Sequence, residues 1–156
     1  MLNHVLLPLD RSEHAHRALH YARELVGSAG KITLLTVIRA PSTLYYEGNP
    51  YTPPQREYSA SEYDAILKEA EDDARAYLRG IATTDDLSGL DVGLSVYVGE
   101  PAGAILEAAA ELKVEAVVMA SHGRTGVGRW LFGSVTQKVL SAAEVPVFVV
   151  PSRQTA

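Results

Sequence analysis

Five short, almost unbroken apolar runs set the narrowest limits on what this chain can fold into. They are HVLLPL (His4 to Leu9), KITLLTVI (Lys31 to Ile38), DVGLSVYV (Asp91 to Val98), EAVVMA (Glu115 to Ala120) and VPVFVV (Val145 to Val150). A strand with one wet face alternates apolar and polar side chains, so runs this continuous suit strands covered on both sides, as in a parallel sheet. The intervals between them have a helical period. Ala15, Ala18, Leu19, Ala22, Leu25 and Val26 share one face, and Gly27 and Gly30 follow to stop that helix. Tyr63, Ile66, Leu67, Ala70, Ala74, Tyr77, Leu78 and Ile81 recur at threes and fours, while Glu62, Lys68, Glu69, Asp72 and Asp73 take the opposite side. A third helix is expected from Pro101, a favoured first-turn residue, with Ile105, Ala108 and Leu112 turned inward. A fourth is expected from Ser134, whose spacing to Gln137 fits a capping box, with Val135, Val139, Leu140 and Ala143 buried.

The order β-α-β-α-β-α-β-α-β argues for parallel crossovers and a doubly wound α/β sandwich with helices on both faces. The 156 residues are expected to form a single domain, 1–156, with a full hydrophobic core. In such a fold ligands bind beyond the carboxyl ends of the strands, where strand order reverses. Those ends are Asp10, Val37 with Arg39, Gly99, and the segment from Ala120 onward. One long interval has no period at all: Ala40 to Ser59 holds Pro41, Pro50, Pro53, Pro54 and four tyrosines. It is expected to be a mobile cover at one end of the crevice, since loops this long are uncommon unless functional.

Charge and composition exclude several classes. A formal net charge of -5 would repel a phosphate backbone, so no nucleic-acid partner is expected. The absence of cysteine removes disulfides, thiolate nucleophiles and thiolate-bound zinc, and a reducing cytoplasm is the expected home. No apolar run approaches the ~20 residues of a membrane span, and the stretch ending at Pro8 and Asp10 is too short for a signal core.

The richest motif follows the fourth strand: ASHGRTGVGRWLFGSV, Ala120 to Val135, with glycines at 123, 126, 128 and 133 before a helix. A glycine-rich strand-to-helix turn lets backbone N–H groups approach an anion, and the helix dipole adds attraction. The same glycines also serve any tight loop, and Ser134 serves any helix cap. A Walker A loop is excluded, because Ser134 stands where the lysine belongs and Val135 where the magnesium-binding hydroxyl belongs. A dinucleotide fingerprint should instead follow the first strand.

The segment resembles the universal stress protein family, whose ATP-binding members carry a glycine, two residues, a glycine, nine residues, then glycine and serine or threonine. Gly123, the nine residues Arg124 to Phe132, Gly133 and Ser134 match the longer half, and Ala120 replaces the first glycine. VLLPLDRSEHAHRALHYA is similar to the family's first strand and helix, LLTVI to its second strand, VGEPAGAIL to its third turn and VPVFVVP to its last strand. The resemblance implies strand order 3-2-1-4-5 and a site with Pro8, Asp10 and Val37 on the adenosine side. Met119, Ala120, Gly123, Arg124, Gly133, Ser134 and Val135 would line the ribose and phosphate side. It further implies ATP with Mg or Mn held mainly by the phosphates, and a homodimer through Val145–Val150. The expected role is a cytoplasmic stress-response sensor or regulator that acts through a protein partner. A scaffold that no longer binds nucleotide, favoured by the Ala120 methyl, and a slow ATPase are the alternatives. For the ATPase there is no activated nucleophile and no second carboxylate beside Asp10, so no catalytic residue is assigned.

Other candidates carry two readings each. Asp10 could accept from an adenine amine or ribose hydroxyl, or cap the helix after Ser12. His122 could donate to a phosphate or act as a base, or simply bond nearby loop backbone. His14, His16 and His20 read as a solvated face, although His16 and His20 have metal-ligand spacing. Arg124, Arg129 and Lys138 offer charge for phosphates or are ordinary solvated cations; Trp130 and Phe132 are loop anchors or a partner contact. Gly133→Val is expected to obstruct the cradle and to disfavour any positive φ the turn requires.

Overall fold

The computed structural model of the chain describes residues 1–39, 58–121 and 132–151. Five strands, β1 (His4–Pro8), β2 (Lys31–Ile38), β3 (Asp91–Val98), β4 (Ala116–Ser121) and β5 (Val147–Pro151), form one sheet. Every pairing is parallel and the order is β3-β2-β1-β4-β5, as expected. Between the strands run α1 (Glu13–Val26), α2 (Ala60–Ala82), α3 (Pro101–Glu111) and α4 (Ser134–Ala142).

Alternation along each central strand feeds two separate cores. Val5 and Leu7 of β1, with Ile32, Leu34 and Val118, pack under Ala18, Leu19 and Ala22 of α1 and Leu78 of α2. Leu6 points the other way and joins Leu35, Val117 and Met119 beneath Ile105 and Ala108 of α3 and Val139 of α4. The expectation of cover on both sides holds for β1, β2 and β4 but not for the outer strands. The interior of β3 is only half-buried, and Phe148 on β5 is 40% exposed. Both are sheet edges, where one neighbouring strand is missing.

Helix starts follow local chemistry. Ser59 and Glu62 make a reciprocal capping box at α2. Glu100 caps α3 by accepting from the Gly103 N–H at 2.8 Å, with Pro101 as the first helical residue. The capping box expected at Ser134 and Gln137 is absent. Gly133 occupies the cap position, Ser134 is already helical, and the cap residue offers no side chain to the first turn. α2 buries only Ala74, Leu78 and Ile81, all in its second half. Its 23 residues span about 35 Å, against about 26 Å for the eight-residue strands beside it, so the first half overhangs the sheet.

Pro8 explains where the sheet opens. The Asn3 carbonyl accepts from Lys31 and the Leu9 N–H donates to Leu35, both on the β2 side, whereas the His4 carbonyl accepts from Glu115 just before β4. Even-numbered residues of β1 therefore address β4, and Pro8 has no N–H to offer it. The β1–β4 register covers only Val5 with Ala116 and Leu6 with Val117. β1–β2 and β4–β5 each run for five pairs. Beyond Leu6 the two central strands part, and this is the point where strand order reverses.

Candidate functional site

A cleft of about 490 Å³ lies at that opening. Pro8 and Asp10 enter it from the end of β1, Val37 from β2, Met119 and Ala120 from β4, and Gly133, Ser134 and Val135 from the start of α4. Eight of the ten residues expected at a site thus border one cavity. Gly123 and Arg124 lie outside the described residues, as do His122, Arg129, Trp130 and most of the expected cover, residues 40–57. The cleft also takes Arg11, Thr36, Arg39, Pro101 and Ile105, which the sequence reading left out of its site. The signals for Arg11 and Pro101 were present: one follows Asp10 between strand and helix, and the other opens a helix at the carboxyl edge of the sheet.

Asp10 serves its turn and the cleft at once. Its Oδ1 accepts from the Ser12 N–H at 3.0 Å, while Ser12 itself holds the cap position of α1 and makes no side-chain capping bond. Between them Arg11 adopts φ 65°, one of two non-glycine residues with positive φ among the described residues. The Tyr77 phenol sits nearby with its hydroxyl buried, and burial first, then the Asp10 charge, push its pKa up.

Gly133 has φ -60° and ψ 160°, so no positive φ requires glycine here, contrary to expectation. A Cβ built on it meets no described atom within 4 Å. Neither backbone geometry nor described packing accounts for a glycine at a position facing the cleft. The first residues of α4 border the same space without a side-chain cap from Gly133, and orphan helix donors of this kind attract anions. Lys138 is not among the residues lining that space, and its side chain is 63% exposed, as an ordinary solvated cation would be. Its Nζ lies 3.3 Å from Glu100 Oε1, tying α4 to α3. His14, His16 and His20 are exposed on α1, and no cluster of three metal-ligating side chains occurs among the described residues.

Glu100 is held below the usual carboxylate range, first by the Gly103 N–H and further by the Ala102 N–H and Lys138. Glu62 and Glu115 are shifted the same way, by Ser59 and Asn3 respectively. A depressed folded pKa gives stability that is present above the unfolded value and lost as pH falls through the folded one. The melting temperature is therefore expected to drop between about pH 5 and pH 3. Glu100→Gln should flatten part of that slope, and an unchanged slope would remove Glu100 from the acid response.

The model of the universal stress protein family matches residues 1–151. The chain belongs to the universal stress protein family. A universal stress protein of Thermus aquaticus is 31% identical over 150 residues, covering 96% of this chain and 99% of that one. Another, from Methanocaldococcus jannaschii, is 28% identical and covers 94% and 80%. Among solved structures, MJ0577 superposes with a TM-score of 0.73 at 27% identity, over 100% of this chain and 99% of that one. An Arabidopsis thaliana family member with AMP bound has a TM-score of 0.62 at 16% identity, covering 98% and 93%, which extends the likeness of fold. No described helix is long and apolar enough to cross a membrane.

Proposed function

We propose that the cleft binds ATP or another adenine nucleotide, with Mg or Mn held mainly by the phosphates, and that the protein is a dimeric regulator rather than an enzyme. The observation that carries this reading is the start of α4, where a glycine holds the cap position, no described atom lies within 4 Å of where its Cβ would stand, and the residues border a cleft at the reversal of strand order. That is a cradle a side chain would fill, and its volume lies in the usual range for small-molecule sites. Structures of family members in complex with AMP and with cAMP support the same ligand class.

In this reading Asp10 accepts from a ribose hydroxyl or adenine amine, Pro8, Val37 and Met119 supply apolar contact, and the Gly133 to Val135 backbone faces the phosphates. Gly123 and Arg124 would complete the phosphate side. Among the described cleft residues Asp10 is the only acid, one carboxylate where metal-assisted hydrolysis commonly uses more. A bound nucleotide would then set which protein partner the cytoplasmic dimer engages. Protein denatured straight from purification should release an adenine nucleotide, and calorimetry with Mg-ATP should give saturable heat. Neither signal would leave the scaffold reading that Ala120 favours; turnover under the same conditions would favour the slow ATPase.

The proposed dimer forms through Val145–Val150. Among the described residues β5 has one edge with no strand partner and Phe148 is 40% exposed, a combination that proteins usually cover. Val147→Lys or Val149→Lys is expected to halve the mass in solution, measured by light scattering. A mass unchanged by both substitutions would place any dimer elsewhere.

A further inference from the structure

We propose that Arg11 is a positioning residue: its side chain latches the turn after β1 to α2 and thereby orients the Asp10 carboxylate in the cleft. The affinity part of this inference rests on the nucleotide reading above; the latch itself does not.

Three observations converge on one residue. Arg11 holds φ 65°, a left-handed conformation that a side-chain-bearing residue adopts at a cost and that persists only where surroundings enforce it. Its Nη1 lies 2.7 Å from Asp73 Oδ2 on α2. Its guanidinium also sits over the Tyr77 ring, 5.2 Å from the centroid, one helical turn further along α2. Two grips on one helix face fix the arginine and, through its backbone, the sharp turn that brings the Ser12 N–H back to Asp10 Oδ1. The same arginine borders the cleft, so the latch lies beside the group it would position.

A structural role alone is a poor account of this arrangement. The side chains of Arg11 and Asp73 are 44% and 66% exposed, and ion pairs so wet contribute little to stability. The hold on the turn is the ion pair and the cation–π contact acting together, each of modest strength. Glycine at this position would relieve the backbone, so arginine stands here at a local disadvantage.

The test compares Arg11→Gly, which tolerates the turn but removes the latch, with Asp73→Ala, which leaves Arg11 in place without its partner, and with the double variant. The first readout is exchange of the Ser12 amide proton in nucleotide-free protein, followed by NMR. Both single variants should speed that exchange at little change in melting temperature, and the double variant should match the singles rather than add to them. The second readout is ATP affinity, expected to fall about fivefold in each single variant. Unchanged Ser12 exchange in both variants would overturn the latch. Faster exchange with unchanged ATP affinity would overturn its role in the site. If the wild-type protein takes up no ATP while exchange still accelerates, the nucleotide reading has failed and the latch on Asp10 stands.

Discussion

Gly133→Val and Gly133→Thr are each expected to weaken ATP binding by at least about tenfold while the protein remains folded. The two side chains have nearly the same shape, and both would project from a position where a Cβ meets no described atom within 4 Å. Among the described residues a steric effect would therefore fall on none, and it would fall on the ligand. The pair also separates sterics from capping. Threonine caps a helix about as well as glycine, whereas valine caps poorly, with a difference of about 1 kcal/mol. Equal losses of affinity with a lower melting temperature only for valine would identify space in the cleft as the cause. Ala120→Gly is the complementary change, removing a methyl at the end of β4 where it borders the same cavity. It is expected to tighten binding, and calorimetry on the wild type and all three variants decides. Equal affinity throughout would put the nucleotide somewhere else; binding only in Ala120→Gly would make the natural protein a scaffold.

The largest effect on stability is expected at the middle of β1. Leu6 and Leu7 are both completely buried, and they point into opposite cores. Leu6→Ala should open a cavity on the α3 and α4 side, and Leu7→Ala one on the α1 and α2 side. Each is expected to cost about 2–5 kcal/mol, a large share of the roughly 5–15 kcal/mol that holds a domain folded. The corresponding fall in melting temperature is about 5–15 °C. Leu140→Ala on the outer face of α4, where leucine is 40% exposed, should change stability by less than about 0.5 kcal/mol. Denaturant titrations of the three variants check the contrast, and a Leu140 effect as large as the β1 effects would mean that the exposed face is covered in solution.

The parallel strands were legible because Leu6 and Leu7 stand side by side: adjacent apolar residues on one strand require two cores. The runs at β3 and β5 look just as apolar, yet they are half-covered, because being an edge depends on which strands pair and not on the strand's own residues. Helix starts were readable where a side chain marks them, as Pro101 does. At α4 the same logic chose Ser134, while the chain begins its helix one residue earlier than a serine cap would allow and leaves glycine at the boundary. Site residues at strand ends, such as Asp10 and Val37, were accessible from sequence because topology sends all carboxyl ends to one edge. Ile105 was not, because its arrival in the cleft depends on how α3 crosses the sheet, which a residue pattern does not encode. The contact between Lys138 and Glu100 was not legible either, since the two are distant in sequence and meet only after α3 and α4 pack together.

The short β1–β4 register has a mechanical consequence. Two residue pairs are a narrow seam for a five-stranded sheet, and α1 lies across it, packed on both β1 and β4. Ala15, Ala18, Leu19 and Ala22 share a core with Val118 and Ala116 on one bank and with Val5 and Leu7 on the other. A load that draws β4 and β5 away from the remaining strands is thus borne less by directional backbone bonds than by a splint of small apolar side chains. Such packing is short-ranged, and a gap of about 0.5–1 Å forfeits a quarter to a half of each contact. The spacing between Pro8 and Ala120 is accordingly set by how closely α1 fits across the seam, and trimming one of its small side chains would loosen the mouth of the cleft from the far side of the sheet.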